Sequence, residues 1–209
     1  MVSVTHPEAP DRFEADALSA LFDVPLADLT GKVNVADIDA ALAAARFAPS
    51  AANLQPWTFI RVTQSETVRL IAENSLNSLG LPMPNHRNEA MAQVAHLVLV
   101  CSNVLRAKCR FGERGLGFYA VQDIAVAAHT VRLAALARGI SSHWVRELDF
   151  EALNLELGLA PRFGLQAVLA FGKANTKRLE RPPQLDAKYF VRVEGDARAV
   201  GALTARLPS

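Results

Sequence analysis

The hydrophobic pattern of this 209-residue chain predicts one domain of mixed helices and strands built around a sizeable core. Three observations carry that expectation. Hydrophobic residues make up 51% of the sequence without any low-complexity tract. Apolar or β-branched runs at residues 57–62, 95–101 and 165–171 read as strands. Segments 35–46 and 118–138 carry apolar residues at helical spacing.

Taken in order, residues 1–11 contain His6-Pro7 and Ala9-Pro10 and read as a tail, leaving 12–209 as the domain. A short helix is expected over 13–22, with Ala17, Leu18 and Leu21 on its apolar side. Asn34 precedes a helix over 35–46 in which Ile38, Leu42 and Ala45 share a face, and Asp37 completes an N-cap pair. Pro49 stops that helix. The strand at 57–62 follows, and then a helix of about ten residues opened by Ser65. Residues 74–87, rich in Asn, Ser, Gly and Pro, read as a long loop of the kind that often faces substrate, although plain flexibility fits it equally well.

Residues 95–101 form a buried strand in which His96 is expected as a satisfied edge or core residue. Gly112, Gly115 and Gly117 run in the reverse of the spacing by which a dinucleotide fingerprint receives a pyrophosphate, so they read as a flexible lead into the next helix. That helix, 118–138, is about 30 Å long and apolar nearly all round, and Gly139 ends it. Such a helix is buried on most sides, and a second subunit is one source of cover. Asp123, His129, Thr130 and Arg132 interrupt it as structural hydrogen-bond or ion-pair residues. A short strand and turn over 139–147, a helix over 150–157 capped by Asp149 and stopped by Gly158, and the strand 165–171 complete the domain. Residues 173–209 are a Pro- and charge-containing extension.

Several function classes are excluded or disfavoured. A net charge of +1 gives no global pull toward nucleic acid or acidic membrane, so any anion site must be local. No apolar stretch reaches the roughly 20 residues that span a bilayer. Two cysteines, Cys101 and Cys109, and no signal-like N-terminus fit a reduced, cytoplasmic setting. The histidines show no metal-ligand spacing.

The most informative stretch joins the helix at 35–46 to the first strand. Ser50, Asn53 and Gln55 place hydroxyl and amide groups among small residues, and buried groups of that kind cost on the order of 1 to 3 kcal/mol each when left without partners. The residues alone leave open an ordinary turn in which these side chains satisfy their own backbone. The run Ala48-Pro49-Ser50-Ala51-Ala52-Asn53-Leu54-Gln55-Pro56-Trp57 resembles the loop "(A/S)PS-x-x-N-x-QPW" of the nitroreductase-like flavoproteins. Leu133-Ala134-Ala135 through Gly139-Ile140-Ser141-Ser142-His143-Trp144-Val145 is similar to that family's helix-to-strand passage. Leu157-Gly158-Leu159, Phe171-Gly172-Lys173 and Arg181-Pro182 resemble later landmarks. Some features also resemble the malonic semialdehyde reductase-like branch.

The resemblance implies an α+β sandwich, with a central, mostly antiparallel sheet flanked by helices, built as an intertwined homodimer that holds FMN at the subunit interface. It implies that Pro49, Ser50, Ala51 and Asn53 approach the flavin, that Trp144, Val145, Arg146 and Glu147 line its ring system, and that Arg181 meets its phosphate. Hydride would pass from NAD(P)H through flavin N5 to a small organic acceptor such as a nitroaromatic, quinone or enal, with no catalytic side chain required. One interval departs from the family. Residues 23–32 carry Asp23 and Asp28 where phosphate-binding arginines are expected. That departure implies FMN bound weakly, FMN held by other cations such as Arg181, Arg178 or Arg87, or no FMN at all. The departure leaves open a family member that binds or sequesters flavin or another ligand without acting as a reductase, and the sequence does not separate a reductase from an oxidase or a flavin-modifying enzyme.

Overall fold

The computed structural model describes residues 24–76, 80–81, 90–91, 93–94 and 96–174. The expected tail, the helix at 13–22, most of the loop at 74–87, Arg87, Arg178 and Arg181 lie outside the described residues.

Among the described residues, five strands and five α-helices follow one another along the chain. They are β1 (Leu29–Thr30), α1 (Val35–Ala43), β2 (Trp57–Arg61), α2 (Ser65–Glu73), β3 (His96–Asn103), α3 (Val104–Arg114), α4 (Ala120–Leu136), β4 (Ser141–Val145), α5 (Phe150–Glu156) and β5 (Phe163–Ala174). Every pairing between these strands is antiparallel. β5 is the hub: it pairs with β1, β3 and β4, and β3 pairs in turn with β2. The register sets Val98 opposite Leu169 and Trp57 opposite Ser102. A bulge between Val100 and Cys101, where Gln166 is the extra residue, shifts the β3–β5 ladder by one.

The central strands are buried on both faces, which is why they read as unbroken apolar runs. Val98 and Val100 of β3 join Ala167, Leu169 and Phe171 of β5 in a core with Ile38 and Ala41 of α1 and the inner side of α4. The alternate residues Leu97, Leu99, Val168 and Ala170 are equally buried. On α4 the inward residues are Ala120, Ile124, Ala127, Ala128, Val131 and Ala135. Four of these six are alanine, so the helix axis lies close to the sheet. Burial lifts the Cys101 thiol to about 12, which makes it an inert core residue.

The local signals act as expected at several ends. Asn34 accepts the Ala36 N–H at 3.0 Å and Asp149 accepts the Ala152 N–H at 3.0 Å, both as N-caps. Gly139 and Gly158 close their helices with φ of 66° and 58°. His96 is a satisfied edge residue, with Nε2 3.0 Å from the Val33 carbonyl oxygen.

The segment between β3 and α4 differs from expectation. Residues 104–114 form a helix, α3, that periodicity in a basic, polar stretch did not reveal. Gly112 breaks it at φ 57°, ψ −139°. Gly115–Tyr119 then form a π-helical turn that runs into α4. Gly115 makes this a packed corner, because a Cβ on it would lie 2.0 Å from the Ala107 carbonyl oxygen, whereas Gly112 and Gly117 face open space. Gly115→Ala is therefore expected to lower the free energy of unfolding in urea by about 1 to 3 kcal/mol, the usual cost of overpacking against backbone. An unchanged urea midpoint would show that the corner is not tight.

Candidate functional site

The loop between α1 and β2 carries an unusual backbone. Ala52, Asn53 and Gln55 all have positive φ, at 50°, 55° and 46°, and none is glycine. Left-handed residues of this kind each cost on the order of 1 kcal/mol or more, and they persist only where surrounding contacts hold them. The holding contacts are visible. Asp123 of α4 accepts the Ala51 N–H on Oδ2 at 3.0 Å. Ser50 Oγ accepts the Gln55 N–H at 3.0 Å, and Asn53 Oδ1 accepts from Gln55 Nε2 at 3.2 Å. Ala48 and Pro56 are buried at the two ends, while Pro49, Ala52 and Asn53 are exposed.

These bonds decide what the loop can offer a ligand. Ser50 Oγ and Asn53 Oδ1 each accept a hydrogen bond from within the loop, while the Ser50 hydroxyl proton and the Asn53 amide protons remain available as donors. The turn reading holds: these side chains satisfy part of the loop's own backbone, and the same bonds fix Ser50 and Asn53 in place.

Burial raises the carboxyl of Asp123 above its ordinary range, against the opposing pull of the Ala51 N–H. Further along the same helix, Arg132 is buried and its Nε donates to Ser142 Oγ of β4 at 2.9 Å. Arg132 and Arg146 both stand over the Trp144 ring, with Cζ 5.9 Å and 5.4 Å from its centroid. Trp144 Nε1 is buried with no acceptor among the described residues. Val145 is fully buried, and Arg146 and Glu147 are exposed at the end of the strand. Burial, then the neighbouring Arg132 charge, holds His129 below the usual imidazole range.

Helix α4 thus anchors both groups of expected site residues, Pro49, Ser50, Ala51 and Asn53 through Asp123, and Trp144 to Glu147 through Arg132. Thr130 lies between the anchors and donates to the Val126 carbonyl at 2.9 Å, within its own helix. The interval where arginines were expected does something else: Val24, Leu26 and Leu29 are core residues. Among the described residues there is no group of three or more His, Cys, Asp or Glu able to hold a metal, and no helix long and apolar enough to cross a membrane.

Comparison with known proteins fits this geometry. The model of the nitroreductase family matches residues 29–173, which include both groups of site residues and the helix that anchors them. The chain belongs to the nitroreductase family. A relative from Archaeoglobus fulgidus, named as a candidate NADH dehydrogenase/NAD(P)H nitroreductase, is 31% identical over 140 residues, spanning 65% of this chain and 71% of that protein. The 5,6-dimethylbenzimidazole synthase of Rhodospirillum rubrum is 27% identical over 143 residues, spanning 63% and 68%. A candidate nitroreductase from Exiguobacterium sibiricum, solved in complex with FMN, superposes with a TM-score of 0.71 at 13% identity, covering 86% of this chain and 96% of that one, and so shares its fold.

Within this nitroreductase family member, two residues expected to be structural hold the segments that carry the candidate site residues. Asp123 and Arg132 each interrupt an apolar helix, which is the signal that could have marked them. A buried charge needs a partner, and their partners are the loop and β4.

Asp123→Ala leaves the Ala51 N–H without its acceptor, at a cost of about 1 to 2 kcal/mol, and should speed hydrogen exchange at that amide. Asp123→Asn keeps an oxygen in place but no charge. A carboxyl whose pKa is raised by folding contributes stability below its unfolded pKa that is lost as pH rises through the folded value. Urea unfolding should therefore show wild type losing ground to Asp123→Asn between acid and neutral pH. A difference independent of pH would contradict the assigned environment.

Proposed function

We propose that this chain is an FMN-dependent oxidoreductase that passes hydride from NAD(P)H to a small organic acceptor such as a nitroaromatic, quinone or enal, and that it works as a homodimer. The observation that carries the reading is the loop from Ser50 to Gln55. It holds three left-handed residues in place and leaves donors available, within a chain of the nitroreductase family.

The residues fit a flavin. Ser50 and Asn53 supply donors suited to the acceptors on the polar edge of its ring system. Trp144 and Val145 supply an apolar shelf that excludes water, and the buried Trp144 indole N–H is a donor whose acceptor a bound polar group would provide. Backbone around Arg146 and Glu147 would line the ring, and Arg181 would meet the phosphate, where guanidinium geometry suits best. When bound, FMN supplies the hydride chemistry. The protein's share is to position two reactants in turn and keep water away, which needs no side-chain nucleophile or acid-base pair.

A second subunit is supported by the outer side of α4 and by the end of the segment before the loop. Val121 and Val126 of α4 are 51% and 42% exposed, and Phe47, just before the loop, is 72% exposed. Exposed apolar residues of this kind suit burial against another copy.

A second reading has an observation of its own. No arginine stands between residues 24 and 32, and the apolar residues there are committed to the core. That favours a family member that holds flavin without reducing it from NAD(P)H. Titration of the purified dimer with FMN, followed by anaerobic NADH or NADPH, separates the two. The oxidoreductase reading expects FMN to bind, its visible absorbance to bleach, and Asn53→Ala to shift the spectrum of the bound flavin. Bound flavin that stays oxidised favours the second reading, and protein that ignores added FMN overturns both.

A further inference from the structure

The net charge of the chain is +1, yet α3 alone carries Arg106, Lys108, Arg110 and Arg114 against a single carboxylate, Glu113. Lys108 takes that carboxylate in an ion pair of 2.6 Å. Arg106 is committed to the protein, with Nη2 donating to the Trp57 carbonyl at 2.6 Å. Arg110 and Arg114 are exposed and have no carboxylate partner among the described residues. Any anion site had to be local, and this is a local excess of positive charge.

The two guanidiniums stand over a cluster of rings. Arg110 Cζ lies 5.7 Å from the Phe111 centroid, and Arg114 Cζ lies 5.6 Å from both Phe118 and Tyr119. Tyr119 links the rings, 4.9 Å from Phe111 and 5.3 Å from Phe118. The break at Gly112 and the π-helical turn bring these residues together, with Gly115 packed on the Ala107 backbone. The chain on either side of the cluster is tied to the candidate flavin loop. The Asn103 N–H donates to the Pro56 carbonyl at 2.7 Å immediately before α3, and the turn leads within one helical turn to Asp123, which holds Ala51.

We propose that Arg110 and Arg114, with Phe118 and Tyr119, form the docking site for the adenosine 2′-phosphate end of NADPH and make the enzyme select NADPH over NADH. The proposal rests on the oxidoreductase reading above. An exposed aromatic face offers a stacking surface for a purine. The planar guanidiniums beside that face can each donate two N–H groups to oxygens of the doubly charged phosphate on the adjoining ribose. The 2′-phosphate is the group that distinguishes NADPH from NADH, so a site that reads it sets the preference between them. The nicotinamide end would then extend toward the loop at Ser50 and Asn53.

Two measurements on the FMN-loaded protein test this. Calorimetry compares adenosine 2′,5′-bisphosphate with adenosine 5′-monophosphate, and steady-state kinetics give the ratio of kcat/KM for NADPH to that for NADH. The bisphosphate is expected to bind at least about tenfold more tightly than the monophosphate, the scale of one charge-assisted contact. Arg110→Ala and Arg114→Ala should each lower the NADPH-to-NADH ratio by about tenfold, and Arg114→Lys should recover part of it. Equal affinity for the two nucleotides in wild type, or a ratio unmoved in both alanine variants, overturns the site. If neither dinucleotide reduces the flavin, the oxidoreductase reading fails, and the nucleotide titration still decides whether this face binds a 2′-phosphate.

Discussion

The constraint on which the site depends is the close seating of helix α4 against the sheet. Its inner face is mostly alanine, so the backbone approaches β3 and β5 with little side-chain bulk between them. A helix held that closely can act as a rigid rail. Asp123 and Arg132, about 13 Å apart along it at 1.5 Å per residue, each reach sideways to a different segment of chain. One fixes the Ala51 amide and the other fixes Ser142. Within one subunit the two expected halves of the flavin site hang from separate points of the same helix, which suits a site completed across two copies.

The loop illustrates how strain and satisfaction work together. Three left-handed residues without glycine are costly in isolation. Here the hydrogen bonds that offset the cost hold the Ala51 and Gln55 amides and the Ser50 and Asn53 side chains in fixed positions. Fixed donors on the loop, and in β4 a tryptophan whose buried indole N–H has no acceptor among the described residues, suit a ligand edge rich in oxygen and nitrogen acceptors. The chemistry such a site needs is orientation and dryness, and neither requires a conspicuous set of catalytic side chains.

Much of this was legible in the residues, and the failures have physical reasons. The strands of the core announce themselves because both faces are buried, and Asn34, Asp149, Gly139 and Gly158 mark their helix ends through capping and left-handed closure. Helix α3 is short of large apolar residues: its stripe is only Val104, Ala107 and Phe111, half-buried apart from Ala107, set among basic side chains and broken at Gly112, which is why periodicity does not reveal it. The corner at Gly112 and Gly115 looked flexible because glycine spacing alone does not show that Ala107 backbone occupies the space a Cβ would need. The loop motif marked the segment with the unusual backbone, but its clamp comes from a residue 72 positions away, and no local pattern links Ala51 to Asp123.

The central claim is that Asp123, by holding Ala51, shapes the loop that receives the cofactor. The dissociation constant of FMN for wild type, Asp123→Asn and Asp123→Ala measures it directly. Binding should weaken by about tenfold or more in Asp123→Ala, as loss of a positioning bond of about 1.4 kcal/mol implies, and should be largely kept in Asp123→Asn, which retains an acceptor. A folded Asp123→Ala protein that binds FMN as tightly as wild type would contradict the account.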